Sequence, residues 1–136
     1  MKITNLLILI VMFFPCPYLY AQGEQAVDAN QHKAQEFEKL GEFLKAAEMY
    51  EESAQVEKDS PGTIKSNIVT NLNQAAYYYT LAGQYKIATN KIDEALKIGR
   101  KLKREDIVTD CLNRFGYFYN YLNKYDVAIK YYLEAL

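Results

Sequence analysis

The sequence predicts an all-α protein, an α-solenoid in which antiparallel helical hairpins stack along the chain. The main signal is repetition, because the pattern of "GQYKIATNKIDEAL" at residues 83–96 returns forty residues later as "NKYDVAIKYYLEAL" at residues 123–136. Apolar residues within each copy recur at three- and four-residue spacing, which is typical of one face of a helix. A glycine or asparagine divides each copy into two helices. One hairpin cannot cover its own apolar face, so we expect neighbouring copies to cover one another.

The first segment is predicted to be a secretory signal peptide. Lys2 is followed by nine unbroken apolar residues, Leu6 to Phe14, and then by Pro15 and Pro17. This apolar run is too short to cross a membrane, because nine residues reach roughly 14 Å against a hydrocarbon core of about 30 Å. We expect residues 1–21 to be removed by cleavage after Ala21. The mature chain, 22–136, would then be an exported bacterial protein, either periplasmic or extracellular.

Cysteine and histidine give little support for chemistry. Cys16 leaves with the signal peptide, and a lipid anchor on it is disfavoured because bulky residues precede it. Cys111 then remains alone, so no intramolecular disulfide forms, and we expect it to be a small buried hydrophobe. His32 is expected to be an exposed helix residue without a metal-ligand or catalytic partner. The 16 basic and 17 acidic residues leave no basic surface for nucleic acid.

The first copy, at about residues 27–60, is the most divergent of the three. Shifted by forty-two residues, it aligns seven positions with the second copy, namely Ala34, Phe37, Gly41, Phe43, Ala46, Tyr50 and Ser53. Asn30 and Lys33 stand where the other copies have apolar residues. Polar residues there are typical of an end of the array that faces water.

The second copy, at about residues 61–103, shows the two-helix pattern clearly. Ser60 followed by Pro61 predicts a helix start, since proline is tolerated in a first turn. Gly83 is expected to end the first helix in the left-handed conformation. The apolar faces of the two helices comprise Ile68, Leu72, Ala75, Ala76, Tyr79 and Ala82, and then Tyr85, Ala88, Ile92, Ala95, Leu96 and Ile98.

The third copy, at about residues 104–136, follows the same plan. Glu105 and Asp106 place negative charge where its first helix should begin. Asn123 takes the place of glycine at the turn, and asparagine is the next best residue for that conformation. The basic run in "KIGRKLKRED" before this copy predicts a solvated helix end and connector in preference to an anion site.

Small residues predict where the two helices of a hairpin cross closely. Ala76 is expected opposite Ala88 in the second copy, and Gly116 opposite Ala128 in the third. Large residues should fill the space beside these crossings, in the pairs Tyr79 with Ile92 and Tyr119 with Tyr132, and further packing tyrosines are expected at Tyr85 and Tyr125.

The stretch "LNRFGYFYNYLNKYDVAIKYYLEAL" resembles a tetratricopeptide repeat of the long-period type. The resemblance rests on a series of small and large residues at Leu112, Phe115, Gly116, Tyr119, Tyr125, Ala128, Tyr132 and Ala135. The period of forty to forty-two residues exceeds the usual thirty-four, and the closing proline is missing from the first two copies. This family implies a right-handed superhelix. Because nothing in the sequence covers the last helix, we also expect the encoded protein to continue beyond Leu136.

In tetratricopeptide proteins the first helices of successive hairpins line a concave groove that binds peptides. By position, the resemblance places Asp28, Gln31 and Gln35 of the first copy on this wall. In the second and third copies it places Asn73, Tyr77, Thr80, Asp110, Asn113, Tyr117, Asn120 and Tyr121 there. Such a wall offers amide hydrogen bonds and aromatic stacking with little positive charge. The basic clamp of some family members is not reproduced, and Arg114 alone is a weak remnant of it.

Two functions fit this sequence. The first is an exported protein–protein interaction scaffold that binds a peptide or protein through its groove. The second is the sensory front of a longer bacterial signalling protein, such as a sensor histidine kinase or a transcriptional regulator, with a membrane segment following Leu136. An enzyme is not expected, and no cofactor is predicted, because the sequence has no phosphate-binding loop, nucleophile with a base, or metal set.

Overall fold

The computed structural model describes residues 17–60 and 63–136. The predicted signal peptide lies mostly outside these residues. In the described part the chain is all-helical, without a strand, as the sequence predicts. Its helices are α1 (Pro17–Lys39), α2 (Phe43–Asp59), α3 (Lys65–Leu81), α4 (Tyr85–Leu102), α5 (Glu105–Tyr121) and α6 (Tyr125–Glu134). None of them combines the length and the hydrophobicity that a membrane span requires.

Each helix packs against the next one along the chain, and α3 also packs against α5. The pairs α1 with α2, α3 with α4, and α5 with α6 are joined by short turns at residues 40–42, 82–84 and 122–124. A core of buried apolar side chains runs through these contacts from Ala34 on α1 to Phe118 on α5. The apolar faces predicted from the sequence are therefore buried mainly between neighbouring helices.

The three turns within the copies have the same backbone conformation. Gly41, Gly83 and Asn123 have φ values of 71°, 75° and 58°, in the left-handed region that the sequence predicts for them. The following residue donates its backbone N–H back into the helix, as from Gln84 to the Tyr79 carbonyl over 2.8 Å and from Lys124 to the Tyr119 carbonyl over 2.9 Å. These bonds satisfy carbonyls that the helix end leaves without partners.

The predicted helix start at Ser60 is wrong, and Pro61 lies outside the described residues. Ser60 serves the end of α2, because its backbone N–H donates to the Glu57 carbonyl and its hydroxyl donates to the Val56 carbonyl over 2.8 Å. The next helix begins only at Lys65. The start of α5 at Glu105 agrees with the prediction, and the basic connector before it turns at Lys103, which has a φ of 53°.

The small residues expected at the helix crossings are buried or closely covered, while the pairings of Ala76 with Ala88 and of Gly116 with Ala128 stay predictions. Ala76, Ala88 and Ala128 are buried, and a Cβ built on Gly116 would lie only 2.4 Å from the Tyr132 ring. The predicted pairing of Tyr119 with Tyr132 is wrong, however, since Tyr119 stacks on the neighbouring Tyr131 with 5.4 Å between ring centroids. Tyr132 covers Gly116 instead.

The remaining packing predictions are confirmed in part. Tyr79 is buried, as expected, but Tyr125 is exposed. Tyr85 reaches Phe118 of the next hairpin over 6.1 Å between ring centroids, yet it also remains partly open to solvent. Asn30 is buried, in contrast to the expected water-facing position.

Candidate functional site: a tyrosine surface and an acidic cavity

The predicted groove residues of the second and third copies are brought together where α3 packs on α5. The side-chain amide of Asn73 donates to Asp110 over 2.8 Å. The rings of Tyr77 and Tyr117 lie 5.6 Å apart between centroids, with an angle of 37° between their planes. Side chains thirty-seven to forty residues apart in the sequence therefore meet on one side of the molecule.

Two of these residues do not offer their polar atoms to a partner as the sequence predicts. Asn73 and Thr80 are each only 2% exposed. The Thr80 hydroxyl donates to the Ala76 carbonyl over 2.8 Å, and Asn73 is held by Asp110 and by the Cys111 sulfur at 3.9 Å. Buried polar groups need such internal partners, so these two side chains stabilise the packing of the helices.

In the second and third copies, the exposed part of the predicted wall is a stripe on α5. It consists of Asp110, Asn113, Tyr117, Asn120 and Tyr121, all exposed, which we call the α5 stripe. Their three- and four-residue spacing places them on one side of the helix. The void beside Tyr77 and Tyr117 has a volume of about 10 Å³. That is too small for a ligand, so the stripe forms a contact surface and not a pocket.

Rings on the other side of Tyr77 fix its position. Tyr77 meets the edge of Tyr78 at 4.9 Å, and Tyr78 stacks on Tyr50 of α2 at 5.7 Å with nearly parallel planes. The Tyr50 hydroxyl donates to Glu38 over 2.9 Å. Burial and this carboxylate raise the pKa of Tyr50 to about 12, so it remains a hydrogen-bond donor throughout the physiological range. These rings join the first hairpin to the second.

A larger concave feature lies between α1, the end of α2 and the start of α3. This cavity has a volume of about 290 Å³. Its described lining consists of Gly23, Glu24, Val27, Asp28, Gln31, Glu57, Ser60, Thr63, Ile64, Asn67, Thr70 and Asn71. Asp28 and Gln31 are two of the three residues that the sequence places on the groove wall of the first copy. The third, Gln35, is exposed and does not line the cavity.

A polar network forms the floor of the cavity and joins three helices. Gln31 of α1 donates to the Asn71 side-chain oxygen over 2.9 Å, and the Asn71 amide donates to Glu57 Oε2 over 2.9 Å. Asn71 is 1% exposed and Glu57 is 8% exposed. Sequence reasoning missed both of these residues. Asn71 could have been found as an amide at a buried position of the apolar α3 helix, but Glu57 stands in a charged helix end that looks solvated.

Glu57 differs from Glu51, a partly exposed carboxylate on the same helix. Burial raises the pKa of Glu57, and the hydrogen bond from Asn71 offsets only part of that effect. Glu51, two turns earlier on α2, pairs with Lys91 and accepts from the Tyr79 hydroxyl over 2.5 Å. Burial also acts to raise the pKa of Glu51, but these partners outweigh it and hold the pKa below its ordinary value. Among the ion pairs of the described residues, none includes Glu57.

The cavity has a one-sided charge. Glu24, Asp28 and Glu57 supply three carboxyl groups, and none of the described lining residues is basic. These acids do not converge as metal ligands, because residues 17–60 and 63–136 contain no group of three or more His, Cys, Asp or Glu side chains placed to hold an ion. The cavity is therefore an acidic recess with amide and hydroxyl groups around it.

The other chemically notable residues have structural environments. Cys111 is fully buried, as predicted, and burial raises the pKa of its thiol to about 11, so it is a protonated core residue at neutral pH. His32 is exposed and lies 3.6 Å from Glu36 one turn along α1. Comparisons with protein-family models, curated proteins and solved structures gave no match. The residues and their geometry are therefore the whole basis for assigning a function.

Proposed function

We propose that this chain is a non-catalytic interaction scaffold of the tetratricopeptide type, an α-solenoid with a right-handed superhelical twist. The repeated hairpins support the proposal, because each has the same left-handed turn and each helix packs on its neighbour in the chain. In such arrays a continuous surface arises from equivalent helices of successive hairpins. The scaffold would be exported by its signal peptide and would bind a peptide or protein outside the cytoplasm.

The observation that carries this proposal is the polar and aromatic surface shared by the first helices. The α5 stripe exposes two tyrosines and two asparagines, and Tyr117 is braced by Tyr77 on α3. The acidic cavity lies beside the first turns of α3, against α1. Tyrosine and asparagine side chains provide contact area and hydrogen bonds at low entropic cost. A peptide lying across α1, α3 and α5 would meet both features.

The test is selection of binding peptides on the purified protein, followed by affinity measurement. We expect Tyr117→Ala combined with Tyr121→Ala to weaken the selected peptides at least tenfold, since aromatic anchors dominate such interfaces. Tyr125→Ala is the matched control, because Tyr125 is an exposed tyrosine on α6, outside the stripe. Both variants must retain their helicity. Equal affinity for the double variant and the wild type would contradict binding at the α5 stripe.

A second candidate function is the sensory region of a longer bacterial signalling protein. The outer face of α6 favours it, because this face exposes apolar side chains at Tyr125, Ile129 and Leu133. In the earlier hairpins the second helix packs against the next first helix, as α2 does on α3 and α4 on α5. A further helical unit would cover α6 in the same way. Reading the uninterrupted coding region past Leu136 tests this candidate, and a stop codon directly after Leu136 would contradict it.

A further inference from the structure

We propose that the cavity between α1 and α3 is a binding site for an organic cation, the ammonium or guanidinium group of a basic side chain. This inference rests on the proposed function. The cavity would be the pocket that selects one residue of the peptide bound across α1, α3 and α5. The source of the cation that we favour is a lysine or arginine of the bound peptide. A free polyamine carries the same chemistry and is separated from it by the experiment below.

Glu57 provides the main argument. Removing a carboxylate from water costs free energy, and the described residues offer Glu57 in return one hydrogen bond from a neutral amide and no cation. The chain supplies Lys91 to the partly exposed Glu51, but it supplies no basic partner to the more deeply buried Glu57 among the described residues. A largely buried acid that lines a recess is a functional-site candidate for this reason. A ligand cation would provide the missing partner.

The shape and polarity of the cavity fit such a group. Its volume of about 290 Å³ corresponds to about ten water molecules at about 30 Å³ each, enough for a long basic side chain but small for a drug-sized ligand. Oε2 of Glu57 accepts from Asn71, and among the described hydrogen bonds Oε1 has no donor. Glu24 and Asp28 of α1 add negative charge, while Val27 and Ile64 can contact the aliphatic stem.

The position of the cavity relative to the tyrosines sets a register for the peptide. Thr70 lines the cavity, and Asn73 and Tyr77 follow it on α3 at three- and four-residue intervals, on the same side of the helix. Seven residues of helix correspond to roughly 10 Å. An extended peptide covers that distance with about three residues. Because the peptide also crosses from α1 towards α5, this is a minimum, and we expect a basic residue at least three positions from the residue that contacts Tyr77 and Tyr117.

The first test measures the cation site without any peptide. N-acetyl-lysine methylamide and its uncharged isostere N-acetyl-norleucine methylamide are titrated into the ¹⁵N-labelled protein, and the side-chain amide signals of Gln31 and Asn71 are followed. We expect saturable shifts with the lysine compound alone. Glu57→Gln should weaken this binding at least tenfold, because the glutamine keeps an acceptor for Asn71 but loses the charge. Glu52→Gln, an exposed change on the same helix, is the matched control and should bind as the wild type does.

Equal binding of the lysine and norleucine compounds would overturn the cation site. So would undiminished binding of the lysine compound by a Glu57→Gln protein whose dispersed amide signals show that it is folded.

The second test replaces each lysine or arginine of the selected peptides by norleucine. A tenfold loss of peptide affinity with the wild-type protein, and no such loss with Glu57→Gln, supports the peptide as the source of the cation. Selected peptides that bind the α5 stripe with no dependence on Glu57 would overturn this inference and leave the proposed function intact. Binding of spermidine and the lysine compound, with no binding peptide found, would support the cation site and contradict the peptide scaffold.

Discussion

Gly116 offers a direct test of the packing between the two helices of the third hairpin. An ideal Cβ built at this position lies 2.4 Å from Cε1 and 2.6 Å from Cδ1 of Tyr132. Ordinary carbon contacts are about 3.5 Å or longer, so in Gly116→Ala the ring must shift by roughly 1 Å or leave its place. Gly116→Ala therefore has two opposing effects on stability. The clash with Tyr132 destabilises the fold, and the higher helix propensity of alanine stabilises it.

The sizes of these two effects decide whether Gly116→Ala stabilises or destabilises the protein. Glycine to alanine in a helix gains about 1 kcal/mol of propensity. Overpacking of a filled site costs about 1–3 kcal/mol. If the Tyr132 ring swings out into solvent instead, the protein loses the burial of this side chain, which is now only 38% exposed. A fully buried tyrosine removes about 150 Å² or more from water, and Tyr132 buries about three fifths of that area. At about 25 cal/mol per Å², exposing the ring would cost roughly 2 kcal/mol. We expect Gly116→Ala to destabilise the protein by about 1 kcal/mol.

The assay is urea unfolding followed by helical circular dichroism, carried out as a double-mutant cycle. In the Tyr132→Ala background the obstructing ring is gone, so Gly116→Ala should become stabilising, by up to about 1 kcal/mol. A Tyr125→Ala background serves as the control, since that exposed ring leaves Gly116 covered and the substitution should remain destabilising. If Gly116→Ala has the same effect in all three backgrounds, the predicted contact between Gly116 and Tyr132 does not control this crossing.

Three further predictions concern buried side chains. Leu72→Ala should lower the free energy of unfolding by about 2–5 kcal/mol in urea titrations, because Leu72 is fully buried in the core; a loss under 1 kcal/mol would contradict its central position. Glu57→Gln should unfold at a higher urea concentration than wild type at pH 7. Because burial raises the folded-state pKa of Glu57, its contribution is fully favourable below the unfolded pKa and is lost as the pH rises through the folded value. The advantage of the variant should therefore shrink towards pH 4, and a constant difference would contradict this reasoning. Cys111 should react with a thiol reagent at pH 8 only after unfolding in urea, since its burial raises the pKa of the thiol to about 11; rapid reaction of the folded protein would refute the burial.

Local signals made the helices and turns predictable. The turn conformation of Gly83 and Asn123 depends on the residue itself, because few side chains tolerate a positive φ. Helical spacing identified Leu72 and Ala88 as core residues. Apolar residues that recur every three or four positions lie on one face of a helix, and that face is the one that packs against a neighbour. Where a local signal had two meanings, prediction failed. The serine at position 60 is equally suited to end one helix or to begin another, and its bonds to the preceding turn decide for the end.

The candidate site was predicted only in part. The resemblance placed Tyr77 and Tyr117 on the same wall, and their rings are in contact. It also placed Asn73 and Thr80 there, but both are buried. A single step along a helix turns a side chain by about 100°, so a modest rotation of α3 moves a residue from the wall into the core. Helical spacing alone does not give that rotation.

The sequence by itself determined that this chain forms repeated helical hairpins, where each hairpin turns, and that Ala76, Ala88 and Ala128 are buried. These properties follow from backbone preferences and from the need of each apolar face for a neighbour. Only the tertiary structure decided that Tyr131, and not Tyr132, stacks on Tyr119, and that Glu57 lies at the floor of an acidic cavity. Both depend on how far one helix is shifted and rotated against the next, which is set by the packing of all their side chains together.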